Sequence, residues 1–521
     1  MNKKYLLGGF LFWAAVSGYM GMRILDSYTE DAVAAALASI PAQAKEIRFS
    51  FFNKTLEIDG LEYDIPDKKV QRKGSIEHIA VRDFNRKILF VMPSTPAYDP
   101  ESLPKVAETV TVTGMTESSH EEYSKTNARL DLLEIKGWCQ RLGLVFDRYA
   151  RKGIGRDFFE ELYRCRMDGV RAEGIDIKVE HTLESGSRHA YIKSVELPGG
   201  IVPLHKDGSA APQRVLVQEA SFGAEDAACS FSRCEVSGLL PPDPAMLDSN
   251  EKDSGLLPGL LWGYAPFAAL EGPSDARPLF EKMELSGLSI KGDRFFGTAD
   301  CALLSCIMSG GQNRCALDMA AKALRWNQPW PEGWQDIIAR YAPGGLKMDM
   351  GAQCGFSASE CSLTSRCSLD KLGTLESLAT LKGGTAEALR KILSGDADAD
   401  LLKAFAGLRL HAARLSFADS GLAALALEAA AREAGMDAQS YCAALEQRAS
   451  MLAGDGNGLD DQARRIFKEQ LAFPGEVAVE LAPGAAPALS QLFLTALIKP
   501  ARLPFKLSSR PGSRALRDYL P

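Results

Sequence analysis

The chain has 521 residues, a net charge of −7, 24% charged residues and 46% hydrophobic residues. That composition excludes a disordered chain and supplies core for about three domains. The small, dispersed charge excludes a nucleic-acid footprint.

The first element is an uncharged apolar run, Tyr5 to Met22, between Lys3–Lys4 and Arg23. As a helix it would reach about 27 Å, enough to cross a hydrocarbon core. Residues 1–23 are therefore predicted as a signal anchor and transmembrane helix. The Lys/Arg bias implies a single pass in the inner membrane, with a cytoplasmic N-terminus and a periplasmic bulk. A cleaved signal peptide, with Ala15-Val16-Ser17 as its small-residue site, is the competing reading. Both readings export residue 24 onward.

Residues 24–45 hold a juxtamembrane helix, TEDAVAAALASI over 29–40, capped by Thr29 and ended by Pro41. Residues 46–368 are predicted as a β-rich domain with helical inserts. Glu46 to Phe51 alternates, and Leu56 to Tyr63 answers it as a hairpin. Further strands are expected at Ser75–Phe84 and Ile88–Met92. One element recurs: an apolar residue, then Asp, Ser or Thr, then Gly, then an apolar residue. Its glycines are Gly60, Gly114, Gly169, Gly238 and Gly287. The apolar residues stand at i and i+3, so their parity flips, which in a strand means a bulge or bend. Such strands build a curved, mostly antiparallel sheet.

Helical inserts are expected at Asn127–Tyr149, Asp157–Tyr163, Leu317–Trp326 and Trp334–Tyr341. Leu256 to Leu270 is apolar but broken by Pro258 and Pro266. It reads as a buried loop, or as one that closes an apolar groove or lies on a membrane. Residues 369–500 read as a helix-rich module with two or more strands. Its helices are expected at Leu372–Leu381, Thr385–Leu393, Ala399–Ala406, Leu422–Glu433, Asp437–Leu452, Asp460–Ala472 and Ala488–Ile498. Strands are expected at Gly407–Phe417 and Glu476–Leu481. Residues 501–521 form a basic tail with Arg502, Lys506, Arg510, Arg514 and Arg517, either frayed or touching an anionic surface. The predicted fold class is thus α+β: an N-terminal transmembrane helix, a curved mostly antiparallel sheet with helical inserts, and a helix-rich C-terminal module.

Eleven cysteines are unsurprising in an oxidising compartment. Cys139, Cys165, Cys229, Cys234, Cys301, Cys306, Cys315, Cys354, Cys361 and Cys367 are the candidates for disulfides. Unpaired core cysteines and a metal site are the alternatives, though no C-x-x-C pair exists. Cys442 reads as a buried free thiol. No phosphate-binding loop, nucleophile elbow or H-E-x-x-H motif occurs. The six histidines are scattered. Asp455, Asn457, Asp460 and Asp461 lack the order of a calcium loop. No catalytic, cofactor-binding or metal residue is assigned, and no cofactor is expected.

The anchor, the short helix and the strands EIRFSFFNKTLEIDGLEYDIP resemble the opening of AsmA-like bacterial envelope proteins, as do the glycine motifs. The resemblance covers residues 1–290. It implies a curved periplasmic sheet with an apolar interior, linked to outer-membrane homeostasis or lipid movement. The expected function is a membrane-anchored, non-enzymatic periplasmic envelope protein that binds or guides lipid or a membrane-associated client. Its partners would be the inner membrane through residues 5–22, and lipid or envelope proteins. The alternatives are an assembly scaffold of the cell envelope and a hydrolase with dispersed acidic residues.

Overall fold

The structure, a computed structural model, describes residues 23–86, 103–140, 165–202, 213–239, 280–383 and 407–520, apart from short breaks. The chain divides into two compact units, Met1–Asp253 and Ser254–Pro521.

In the first unit a helix, α1 (residues 25–35), precedes ten strands. These are β1 (Ala42–Gln43), β2 (Glu46–Ser50), β3 (Thr55–Pro66), β4 (Gln71–Arg82) and β5 (Lys105–His120). There follow β6 (Ser124–Cys139), β7 (Gly169–His181), β8 (Ser187–Leu197), β9 (Gln213–Ala224) and β10 (Ala227–Leu239). From β2 on, each strand pairs antiparallel with the next, and β1 extends the β2 edge along β3. Thr29 lies inside α1 rather than at its cap. It is fully buried, and its hydroxyl donates to the Leu25 carbonyl at 2.8 Å.

Val33 of α1 packs with Phe49, Leu56, Ile58, Leu61, Val81 and Val110, which closes the apolar side of the first strands. The same helix covers an open edge. The Phe49 N–H donates to Glu30 Oε1 at 2.7 Å, and the Phe51 N–H to Asp26 Oδ1 at 2.6 Å. An edge strand with its donors taken cannot template another chain.

The second unit has strands β11 (Lys282–Gly292), β12 (Gly297–Gly311), β13 (Arg314–Trp326), β14 (Lys347–Ser357) and β15 (Glu360–Leu369). It continues with β16 (Gly373–Lys382), β17 (Arg409–Asp419), β18 (Glu476–Leu481) and β19 (Phe505–Arg510). These too pair antiparallel in chain order. The helices are α2 (Trp334–Tyr341), α3 (Leu422–Glu433), α4 (Ala438–Met451), α5 (Leu459–Ala472) and α6 (Leu489–Ile498). Ile337, Ile338, Leu372, Leu425 and Ala429 form the core between α2, α3 and the β15–β16 turn. The β19 edge is closed as β2 is: the Leu507 N–H donates to Gln462 Oε1 of α5 at 3.0 Å.

Several expectations are corrected. Among the described residues strand outweighs helix by 62% to 22%, so the fold is dominated by antiparallel sheet, and the C-terminal part is not a helix-rich module. Its helices flank β15–β19, and Leu372–Leu381 is largely strand β16. The inserts expected at Asn127–Tyr149 and Leu317–Trp326 are strands β6 and β13 where described. The predicted signal anchor and transmembrane helix, and the single-pass inner-membrane location, are also corrected. Among the described residues no helix is long and apolar enough to cross a membrane. The run Tyr5–Met22 lies outside the described residues, as do Ile88–Met92, Asp157–Tyr163, Leu256–Leu270, Thr385–Leu393 and Ala399–Ala406. The described part of the basic tail, residues 503–520, packs on the fold: Leu516 and Leu520 are buried, Arg517 pairs with Glu446, and Arg514 lies over the Tyr519 ring.

Candidate functional site: a seamed sheet with one apolar face

Two of the motif glycines, Gly60 and Gly114, fall in a single row that crosses the first unit. Asp59 faces His78 and Leu61 faces Ile76, which leaves Gly60 opposite Glu77. The same reading carries Glu77 to Gly114, Gly114 to Asp131, and Asp131 to Gly174. From there the row passes to Lys193, Glu219 and Ser232. Every second strand adopts a left-handed backbone in this row: Gly60 (φ 59°), Gly114 (62°), Gly174 (64°) and Glu219 (44°). At Gly114 and Gly174 the facing residue on the preceding strand folds over that position. A Cβ on Gly114 would sit 2.3 Å from Glu77 Cδ, and one on Gly174 2.1 Å from Asp131 Oδ2. Where the row reaches Glu219, Lys193 bonds its carboxylate. Gly238 (φ 68°) bends β10 farther along, at a register shift between Val236 and Leu239. Gly169 does not take part: it opens β7 and lacks a positive φ. In the second unit, Gly287 (φ 63°) lies between the pairs Ser286–Leu303 and Leu288–Cys301, and Ala323 (56°) marks the bend in β13.

The seam has one consequence for side chains. Alternation along each strand reverses at the row, so residues on either side of it at i and i+3 share a face. Ile58 and Leu61 therefore lie in one core cluster, as do Ile76 and Ile79. The pattern repeats to the end of the sheet. On β7 to β10 it brings together Val170, Ala172, Ile175 and Ile177; Ala190, Ile192, Val195 and Leu197; Val215, Val217, Ala220 and Phe222; and Cys229, Phe231, Cys234 and Val236. Of these sixteen, only Ala220 and Cys234 are buried, and Phe222 is 41% exposed. The face is thus fully apolar and half-open.

The opposite face is polar. Its charges meet across strands: Asp59 accepts from Arg48 at 2.6 Å and contacts His78 Nδ1 at 2.6 Å, and Asp176 contacts His189 Nε2 at 2.8 Å. The His78 and Arg48 bonds hold the Asp59 carboxyl below its ordinary range. A cleft of about 1070 Å³ lies here, lined by Glu62, Ser75, Thr116, Arg129, Asp176 and Lys178. At its rim the Tyr63 hydroxyl donates to Glu117 at 2.7 Å, and burial with that bond pushes its pKa up.

The second unit also has an apolar face. Met350, Cys367, Leu375 and Phe417 stand side by side; the next row on that face holds Ser365, Ser377 and Leu415, and Leu363 lies one row farther. Met350, Leu363, Leu375 and Leu415 are 39–47% exposed. His411 lies at a register shift in β17.

The cysteines follow the apolar faces. Cys139, Cys165, Cys229, Cys234, Cys301, Cys306, Cys354, Cys361, Cys367 and Cys442 are free thiols. Cys315 lies in β13 opposite Phe356. Burial raises the pKa of Cys229, Cys234, Cys354, Cys361 and Cys367, and that of Cys306 to about 11. At neutral pH these are protonated side chains that pack as small hydrophobes. No group of three or more His, Cys, Asp or Glu suited to a metal occurs among the described residues.

A family model described as "Uncharacterized protein" matches residues 366–510, a stretch from within β15 to the end of β19. No curated protein and no solved structure matches the chain.

Proposed function

We propose that the protein is a non-catalytic binder of lipid acyl chains, which lie along the apolar sheet faces. One observation carries this reading: the sixteen apolar positions of β7 to β10 form an uninterrupted face with only two of them buried. Three strand spacings of about 4.8 Å and strand stretches of about 20 Å give it room for an acyl chain, which fills about half of a ~30 Å hydrocarbon core. Each methylene covered contributes about 0.8 kcal/mol before the cost of ordering the chain. The resemblance to AsmA-like proteins, read from the sequence, points the same way.

The competing reading is a structural scaffold. It draws on α1, which already closes the β2–β5 side of the face with Val33. Mass spectrometry of lipids that co-purify with the protein in detergent-free buffer tests the choice. Acyl lipid should be recovered with the wild type and depleted in Phe222→Asp, a change at an exposed side chain. Repeated preparations without lipid would favour the scaffold.

A further inference from the structure

We propose that α6 is a docking element for an anionic lipid surface. The helix, LSQLFLTALI, carries no charge along its length. Its outward stripe is Gln491, Leu494 and Ile498, with Leu494 55% exposed and Ile498 71% exposed. An uncharged helix that turns Leu and Ile to solvent leaves apolar area that water disfavours and a bilayer interface accepts.

The fold holds this helix at one end of the second unit's sheet. The Leu489 N–H donates to the Leu408 carbonyl at 3.0 Å, and the Leu410 N–H to the Pro487 carbonyl at 3.0 Å. These bonds tie the start of α6 to the start of β17. The chain after α6 leads into β19. The charge beside the helix selects the occupant. Arg409 is exposed at its start, and its guanidinium donates to the Ala486 carbonyl at 3.4 Å. Lys506 is exposed on β19. The acid nearest Lys506 in register, Glu480, is engaged by Arg414 at 3.2 Å. A cation at the start of an exposed apolar stripe, with a second on the strand that follows it in the chain, fits a surface of anionic headgroups over acyl chains. A second copy of the chain would bring the same cations against each other.

The inference is separate from the acyl-chain reading, because α6 belongs to the second unit and the β7–β10 face to the first. The test is hydrogen–deuterium exchange of the unmodified full chain with vesicles of phosphatidylcholine, or of phosphatidylcholine mixed with phosphatidylglycerol. Exchange in peptides covering 489–503 should slow with the phosphatidylglycerol vesicles and not with phosphatidylcholine alone. Lys506→Ala should weaken the effect by about fivefold, the loss expected for one cation at an anionic surface. Leu494→Asp with Ile498→Asp should abolish it while exchange in β17 and β18 stays as in the wild type. Unchanged exchange in 489–503 with the anionic vesicles overturns the proposal. So does equal slowing with both vesicle types. Slowing that tracks protein concentration without vesicles assigns the stripe to a second copy and also overturns it. Co-purified acyl lipid without a vesicle effect would leave the acyl-chain reading standing and remove this one.

Discussion

Gly114 and Gly169 carry the same short motif, yet the structure sets them apart, and a pair of substitutions measures the difference. Gly114 has φ 62°, and a Cβ there would meet Glu77 Cδ at 2.3 Å. An L-residue in the left-handed region costs about 1–2 kcal/mol. The clash adds little, because the Glu77 side chain is exposed and can swing aside. Gly114→Ala should therefore destabilise the first unit by about 1–2 kcal/mol. Gly169 lacks a positive φ, and its Cβ would meet nothing nearer than Lys136 Cβ at 4.0 Å. Gly169→Ala should fall within about 0.5 kcal/mol of the wild type. Gly114→Asn should lie between them, since Asn tolerates the left-handed region better than Ala. Adding Glu77→Ala to Gly114→Ala should recover only the small steric part. The assay is urea unfolding followed by hydrogen exchange in β5 and β6 peptides, which reads the first unit alone. Equal costs at the two glycines, or a neutral Gly114→Ala, would refute the seam as a backbone requirement.

Other outcomes follow from the same geometry. Glu219 sits in the row at φ 44° without being glycine, and its carboxylate bonds Lys193. Glu219→Gly should relieve about 1 kcal/mol of backbone strain and lose an exposed ion pair of about 0–1 kcal/mol, so stability should hold or rise. Replacing Asp26 and Glu30 by Ala frees the N–H groups of Phe49 and Phe51. That variant should exchange faster at β2 and self-associate more in sedimentation, because an edge is reopened. Cys306, with its pKa raised to about 11, binds its proton more tightly folded than unfolded. Its contribution is therefore complete below about pH 9 and is lost as pH rises from there towards 11, by about 2–3 kcal/mol. Iodoacetamide labelling of native Cys306, mapped by mass spectrometry, should stay slow at pH 8 and accelerate only as pH nears 11. Rapid labelling at pH 8 would contradict the buried, protonated thiol.

Much of the sheet was readable from alternation. Ile47 and Phe49 in β2, and Ile175, Ile177 and Val179 in β7, obey period two on one side of the seam. The C-terminal helices at Leu422–Glu433 and Leu459–Ala472 announce themselves by spacing and flanking residues. Four glycines of the motif sit where the backbone needs a left-handed residue, but two others inside the strands of the first unit do too, Gly137 (φ 60°) and Gly174 (64°). The motif does not include them because it requires apolar neighbours at fixed positions. Gly137 follows Lys136 and Gly174 follows Glu173, and in each the left-handed backbone, not the neighbour, is the invariant requirement. The polar cleft was not readable at all. Glu62, Thr116, Arg129 and Asp176 come from four different strands and meet only through register. Whether the cysteines are partnered or free was not readable, because spacing in sequence does not set Sγ separation between strands.

The errors about helices have one cause, and it is the seam itself. A strand that reverses its alternation places apolar residues at i and i+3, which is also the spacing of a helix face. In β6, Leu130 and Leu133 flank Asp131 and both belong to the apolar side. In β13, Leu317, Ala321 and Leu324 step by four and three across the bend at Ala323. Periodicity alone assigns both to helices. What distinguishes them is the neighbouring strand: β5 repeats the reversal with Val112 and Met115, and β7 with Ala172 and Ile175, at positions that pair with β6. A helix has no reason to match its neighbours in this way, whereas a seam must cross every strand or tear the ladder. Repeated i, i+3 steps in successive segments of strand length, each with a glycine or a charged residue inside the step, are therefore the signature of this sheet. The same repetition keeps its apolar face unbroken, and so the feature that obscures the fold in the sequence is the one that builds the candidate site.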